Sequence, residues 1–213
     1  MHPDYSPLRR FSQWLSRWRH RRGYGVHSPW AFSWITQVIY NDMAYYAYAD
    51  LQRRRCLPAT DPEALAGALN EKDDRLLFRV ANAAEANDIA VVGKVGARER
   101  AYLSAARTQA RLTAYDTLPP EIEKRFAEHD FFYFASTEYL PSGSLSSLVL
   151  DTADEKKCRP ALVCGISRDA IARAAWQRFI DSPEVCVSFD LGRFGLAFFC
   201  PKLHKQHYVV AYF

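Results

Sequence analysis

One stretch of the sequence, residues 89–116, constrains the fold more than any other. It begins with an apolar run at 89–92, breaks into two glycines, Gly93 and Gly96, and then follows a helical pattern up to Arg107. An apolar run that meets glycine and continues as a helix is the first half of a strand-helix-strand unit on a parallel sheet. The sequence therefore predicts a buried strand, a tight turn and a helix in this order.

The second half of this unit is an apolar run at 112–115 that ends in an acid, Asp116. In nucleotide-binding sheets, glycines at such a turn let the backbone approach a ligand, and an acid after the next strand binds ribose hydroxyls. Gly93, Gly96 and Asp116 are therefore candidate cofactor-binding residues. A packing role is the alternative, because a glycine turn between strand and helix is also needed where nothing binds.

Positive charge is concentrated near the N-terminus. The chain carries a net charge of +4, and its first 30 residues hold six arginines against one acid, Asp4. Within 7–22, large apolar residues recur at helical spacing and predict a basic amphipathic helix: Leu8, Phe11, Trp14, Leu15 and Trp18. This helix either docks on the domain, lies on a membrane surface or contacts nucleic acid, and the last is the least expected.

The cysteine pattern predicts neither a metal site nor a disulfide framework. Five cysteines stand at 56, 158, 164, 186 and 200, without a C-x-x-C pair or zinc-type spacing. We therefore expect a reduced, cytoplasmic protein without a metal. No apolar run reaches the length of a membrane span, and the N-terminus does not resemble a secretory signal.

Residues 1–85 predict a helical extension, and residues 86–213 predict an α/β domain. In the extension, Ser28 followed by Pro29 predicts the start of a helix that runs to about residue 41. His27 precedes this cap and is placed near the helix N-terminus, where an anion is favoured. Further helices are predicted at 45–58, 60–70 and 71–87.

The α/β domain continues as alternating strands and helices. Strands are predicted at 131–135, 161–164, 185–190 and 194–200, and helices at 121–128, 142–150 and 168–180. The last helix is expected to start at a Ser167 cap and to pack inward through Ile171, Ala174, Ala175 and Phe179. Leu191-Gly192-Arg193 is a hairpin signal, and the final residues predict another strand. This order predicts a doubly wound parallel sheet with an antiparallel strand at its end.

Several local motifs accompany this order. They are Gly25-Val26-His27-Ser28-Pro29-Trp30 with Phe32, Leu76-Leu77-Phe78-Arg79, Ala174-Ala175-Trp176, the run from Phe189 to Phe199, and Lys205-Gln206-His207-Tyr208. With the element order, they resemble class I S-adenosylmethionine-dependent methyltransferases, and in particular a Bacteroidetes-type O-methyltransferase-like group with an N-terminal G-V-H-S-P segment. The resemblance implies a Rossmann-like methyltransferase sheet with a helical N-terminal extension.

The resemblance also implies a cofactor and a set of site residues. S-adenosylmethionine is the expected cofactor, held by Gly93, Gly96, Asp116 and Ser136. Tyr24 and His27 are expected over the acceptor pocket of a small-molecule substrate. The catalytic residues are not identified.

The sequence departs from the family pattern where the chemistry takes place. Ala90 stands on the strand that usually carries an acid, and Lys94 lies inside the turn, where its charge disfavours a cationic cofactor unless it points to solvent. The segment between Asp116 and residue 131 is too short for the usual third strand. The sequence thus predicts a methyltransferase-like protein with an eroded cofactor site that is weakly active or inactive.

Two alternatives stay open at this point. One is an active small-molecule O-methyltransferase. The other is a non-catalytic binding or scaffold protein, either a homodimer through its aromatic N-terminal helices or a peripheral membrane protein that uses residues 7–22.

Overall fold

A computed structural model describes residues 23–55, 69–117, 128–141 and 158–212. The predicted helices at 7–22, 60–70, 121–128 and 142–150 lie outside these residues, apart from residues 69–70 and 128. The helices are α1 (Pro29–Trp34), which continues as a π-helical turn (Ile35–Ile39), α2 (Tyr46–Arg55), α3 (Glu71–Ala83), α4 (Ala97–Ala105) and α5 (Ala170–Asp181). The strands are β1 (Asp88–Val92), β2 (Arg111–Tyr115), β3 (Phe131–Phe134), β4 (Arg159–Cys164), β5 (Val187–Asp190), β6 (Phe194–Phe199) and β7 (Gln206–Val209).

The seven strands form one sheet in the order β2-β1-β3-β4-β6-β5-β7. β6 runs antiparallel to both of its neighbours, while the other neighbouring pairs are parallel. One core cluster packs α3 and α4 on one face, and a second packs α5 on the other. This confirms the predicted doubly wound, Rossmann-like sheet with its terminal antiparallel hairpin. Among the described strands, β2 forms one edge and β7 the other.

The N-terminal helices lie on the α3 side of the sheet. The Ser28 hydroxyl caps α1 by accepting a hydrogen bond from the Ala31 N–H at 3.3 Å, as predicted. The rings of Trp30 and Trp34 pack on Phe198 of β6, with centroids 4.8 and 4.6 Å away. The extension therefore shares a core with the sheet.

The prediction for α5 is wrong in its cap and in its inward face, except that Phe179 is buried as predicted. Asp169, not Ser167, caps the helix by accepting a hydrogen bond from the Ala172 N–H at 2.7 Å. Ile171 is 79% exposed, and the buried side chains are Ala172, Trp176, Phe179 and Ile180. The Trp176 ring decides this rotation, because it lies against Gly195 of β6, where a Cβ atom would come within 2.6 Å of it.

The expectation of fully reduced cysteines is also wrong. Cys158 and Cys200 form a disulfide with Cα atoms 4.6 Å apart. They flank the antiparallel ladder in which Arg159 pairs with Phe199, so β4 and β6 bring them directly opposite each other. The two cysteines are 42 residues apart in the sequence, so cysteine spacing alone does not predict that they pair.

Peptide mapping by mass spectrometry tests this bond. In protein digested without reduction, we expect a linked peptide pair that joins Cys158 to Cys200, whereas Cys164 and Cys186 are free and should alkylate. Cys200→Ser should abolish the linked pair and leave the other thiols unchanged. Complete alkylation of both Cys158 and Cys200 in the unreduced protein would contradict the pairing.

Candidate cofactor crevice

The predicted cofactor-binding residues follow three neighbouring parallel strands. Val92 of β1 lies opposite Tyr115 of β2 and Phe134 of β3, so the next residues of all three strands meet at the same edge. Gly93, Asp116 and Ser136 therefore lie at one carboxyl edge, and Gly96 starts α4 beside them. Ligands of open α/β sheets bind in the crevice at this edge. Whether these four residues bind a cofactor stays a prediction.

The glycine turn approaches another part of the chain very closely. Gly93 has a φ of +96°, which favours glycine, and its N–H donates to the Tyr115 carbonyl at 2.8 Å. A Cβ atom on Gly93 would lie 2.3 Å from Cε2 of Tyr139. The Tyr139 ring thus fills the space directly over the turn, where a ligand would approach the backbone. Gly93 is needed here for the close approach of a protein side chain.

Tyr139 is held by a short 3-10 turn, Thr137–Tyr139, that follows β3. The Ser136 hydroxyl accepts a hydrogen bond from the Glu138 N–H at 3.3 Å, and its carbonyl accepts one from the Tyr139 N–H at 3.2 Å. Glu138 in turn forms an ion pair with Arg168 at 2.6 Å, just before α5. Ser136, predicted to bind the cofactor, therefore caps the turn that carries Tyr139.

At the start of α4, the backbone N–H that could bind a ligand is hydrogen-bonded to a side chain of the same helix. The Gly96 N–H donates to Glu99 Oε2 at 2.9 Å, and the Tyr133 hydroxyl donates to Glu99 Oε1 at 2.7 Å. Burial raises the pKa of Glu99, and the two hydrogen bonds oppose this rise. Burial and the nearby Glu99 raise the pKa of Tyr133 well above its ordinary value. The Gly96 N–H is thus engaged by an internal carboxylate.

The two charged residues of the predicted site face solvent. Lys94 is exposed, so solvent screens its charge and weakens its repulsion of a cationic cofactor. Asp116 is exposed as well and lies one residue beyond Tyr115. Its role as a partner for ribose hydroxyls stays a prediction.

Tyr24 and His27 lie on the segment that leads into α1. Tyr24 is 85% exposed, and His27 is exposed too. The helix that follows them packs over β5 and β6, whereas the glycine turn follows β1 on the other side of β3 and β4. Within the described ranges, no hydrogen bond joins either residue to the glycine turn, and their role at an acceptor pocket stays a prediction.

The sequence did not predict a buried ion pair that the structure contains. Asp74 forms an ion pair with Arg55, whose Nη2 also donates to the Leu69 carbonyl at 2.8 Å. The Asp74 side chain is 1% exposed, and its Oδ1 has no hydrogen-bond partner. Burial raises the pKa of Asp74 to about 7, and the attraction of Arg55 opposes that rise. Asp73 and Asp74 follow the Asn70 cap, so they looked like ordinary acids in a first helical turn.

Two further findings concern the described residues only. No group of three or more histidine, cysteine, aspartate or glutamate side chains lies together in a way that could hold a metal ion. No helix in these ranges is long and apolar enough to cross a membrane.

Comparisons with known proteins give a likeness in structure only. No family model and no curated protein matches the sequence. The chain is similar to the O-methyltransferase TomG from Streptomyces achromogenes, involved in tomaymycin synthesis and solved in complex with SAM: identity is 15%, the TM-score is 0.42, and the match covers 74% of this chain and 91% of TomG. It is also similar to cofactor-bound Rv0187 from MTB, with 16% identity, a TM-score of 0.45 and coverage of 74% of this chain and 99% of Rv0187.

Proposed function

We propose that this chain is an S-adenosylmethionine-dependent methyltransferase-like protein whose cofactor crevice is closed by Tyr139, so that it binds the cofactor weakly and transfers methyl groups slowly or not at all. The contact between the Tyr139 ring and Gly93 carries this proposal. The residues that the resemblance assigns to the cofactor meet at one edge, but the space over the first of them is filled.

A filled crevice would slow methyl transfer because the reaction depends on how the cofactor is positioned. Displacement at a sulfonium methyl group asks the protein mainly to position two reactants in line, and a hydroxyl acceptor also needs a base. With Tyr139 over Gly93, S-adenosylmethionine does not fit against the glycine turn in this conformation. Binding requires that the Thr137–Tyr139 turn move away, and the ion pair between Glu138 and Arg168 opposes this movement.

Thermal unfolding of the wild-type protein tests the proposal. At 1 mM S-adenosylhomocysteine, we expect the melting temperature to rise by less than about 2 °C, because a ligand near or below its dissociation constant adds little stability. A matched nucleoside without the amino-acid group, adenosine at 1 mM, serves as the control for weak non-specific binding. A rise of about 5 °C or more with S-adenosylhomocysteine alone would contradict a closed crevice.

We also propose that the N-terminal segment contacts a membrane surface or forms a homodimer. Residues 7–22 lie outside the described ranges, so membrane contact or a homodimer through them rests on the sequence pattern alone. Flotation with anionic liposomes at low and high salt tests membrane contact, and an absence of salt-sensitive binding would remove it.

A further inference from the structure

A second concavity lies on the outer side of α3, away from the glycine turn. Its volume is about 660 Å³, and it is bounded by α3, the end of the π-helical turn and Tyr212 near the C-terminus. Its charged lining comprises Lys72, Arg75, Arg79, Glu71 and Asp42. Three cationic groups therefore face two acids, and the concavity has an excess of positive charge.

Arg79 is the innermost of these cations. It is 5% exposed, its Nε donates to the Val38 carbonyl at 2.7 Å, and its Nη2 donates to the Ile39 carbonyl at 3.1 Å and lies 3.4 Å from the Tyr212 hydroxyl. These acceptors are all uncharged, and no carboxylate of the described residues forms an ion pair with Arg79. Buried charges are normally paired, so this fixed guanidinium favours an anion in the concavity that it lines.

Arg75 lies one helical turn before Arg79 on the same face of α3. Its guanidinium stacks 4.7 Å from the Tyr48 ring and forms an ion pair with Glu71. Its Nε is buried and has no hydrogen-bond partner in the part of the chain that the structure describes. Two guanidinium groups thus border one space, and the other end of the Arg75 guanidinium is its partly exposed side.

We propose that this concavity binds a small organic phosphate. Guanidinium groups match phosphate oxygens in geometry, and a phosphate dianion balances more positive charge than a carboxylate does. This site is separate from the proposed cofactor crevice, and its occupancy does not depend on methyl transfer.

Isothermal titration with phenyl phosphate as the probe tests the proposal. Wild-type protein should bind phenyl phosphate at one saturable site, and more tightly than benzoate at the same ionic strength. Arg75→Gln should weaken binding by roughly tenfold, since it removes a charge-assisted interaction. Arg75→Lys should give an intermediate affinity, because it keeps the charge but loses the fork. Arg173→Gln, which removes an exposed arginine of α5, should bind like wild type.

Three results would overturn the proposal. They are the absence of saturable phenyl phosphate binding to wild type, equal affinity in wild type and the Arg75→Gln variant, and equal affinity for benzoate and phenyl phosphate. Melting temperatures of all variants, measured without the probe, show whether each of them is folded. Because S-adenosylhomocysteine is absent from these titrations, their outcome is independent of the test of the cofactor crevice.

Discussion

Replacing Gly93 with alanine is expected to destabilise the protein by about 3 kcal/mol. Roughly 1 to 2 kcal/mol arises from the backbone φ of +96°, which residues with a Cβ atom rarely adopt. A similar amount arises from overlap of the new Cβ atom with the Tyr139 ring. The double variant Gly93→Ala with Tyr139→Ala should lose the overlap but keep the backbone strain. Urea unfolding of the two single variants and the double variant should therefore show a favourable coupling of about 1 to 2 kcal/mol.

Gly96→Ala is the matched control in the same turn. Its φ is −69°, and the nearest atom to an added Cβ is the flexible carboxylate of Glu99 at 3.3 Å. We expect a cost below about 1 kcal/mol and no coupling with Tyr139→Ala. Strict additivity of the Gly93 and Tyr139 substitutions would show that the ring does not lie over the turn.

The second large effect is expected at the buried ion pair between Arg55 and Asp74. Arg55→Ala leaves the Asp74 carboxyl buried without a cation, and removing one partner of such a pair costs about 3 to 5 kcal/mol when the other is charged. This loss of stability should depend strongly on pH, because the Asp74 carboxyl is neutral when it is protonated. Urea unfolding of the variant and of wild type between pH 5 and pH 8 measures it.

The sign follows from the raised pKa of Asp74. Its pKa in the folded protein is about 7, above the ordinary value of 3.8, so its protonation stabilises the fold at low pH and this contribution is lost as pH rises through 7. Without Arg55 the pKa rises further. The difference between wild type and Arg55→Ala should thus be about 1 kcal/mol at pH 5 and grow to about 2 kcal/mol at pH 8, because one pH unit above the wild-type pKa changes the stability difference by about 1.4 kcal/mol.

Arg55→Ala with Asp74→Asn is the control for this effect, since asparagine cannot ionise. Its stability difference from wild type should lose the steep increase between pH 6 and pH 8. If the single variant shows a constant difference at every pH, Asp74 does not titrate as its burial requires.

The strands and their order along the chain could be predicted from the sequence because the patterns that indicate them are local. β1, β3 and β4 are continuous apolar runs, and the structure buries all of β3 and β4 and all of β1 except its first residue. The hairpin was predicted from Gly192, which has a φ of +90°, and β5 and β6 do pair there. Element order and right-handed connections then leave few arrangements of the sheet.

The state of the crevice could not be predicted because it depends on a contact between distant segments. A glycine at position 93 indicates that some group packs closely against the backbone there. The sequence does not say whether that group is a ligand or, as in the structure, the Tyr139 ring. Likewise, Ile171 and Trp176 both fit a helical stripe, and only the position of Gly195 on β6 determines which of them is buried. Burial of Asp74 has the same origin, since it depends on where Arg55 of α2 lies.

The affinity of the Tyr139 variants for S-adenosylhomocysteine, measured by isothermal titration, tests the closed crevice most directly. Tyr139→Ala removes the ring over Gly93 and should bind about tenfold or more tightly than wild type, because the energy of displacing the ring is no longer required. Tyr139→Phe keeps the ring and should bind as weakly as wild type. Equal affinity in all three proteins, whether strong or undetectable, would contradict the conclusion that Tyr139 closes a cofactor crevice.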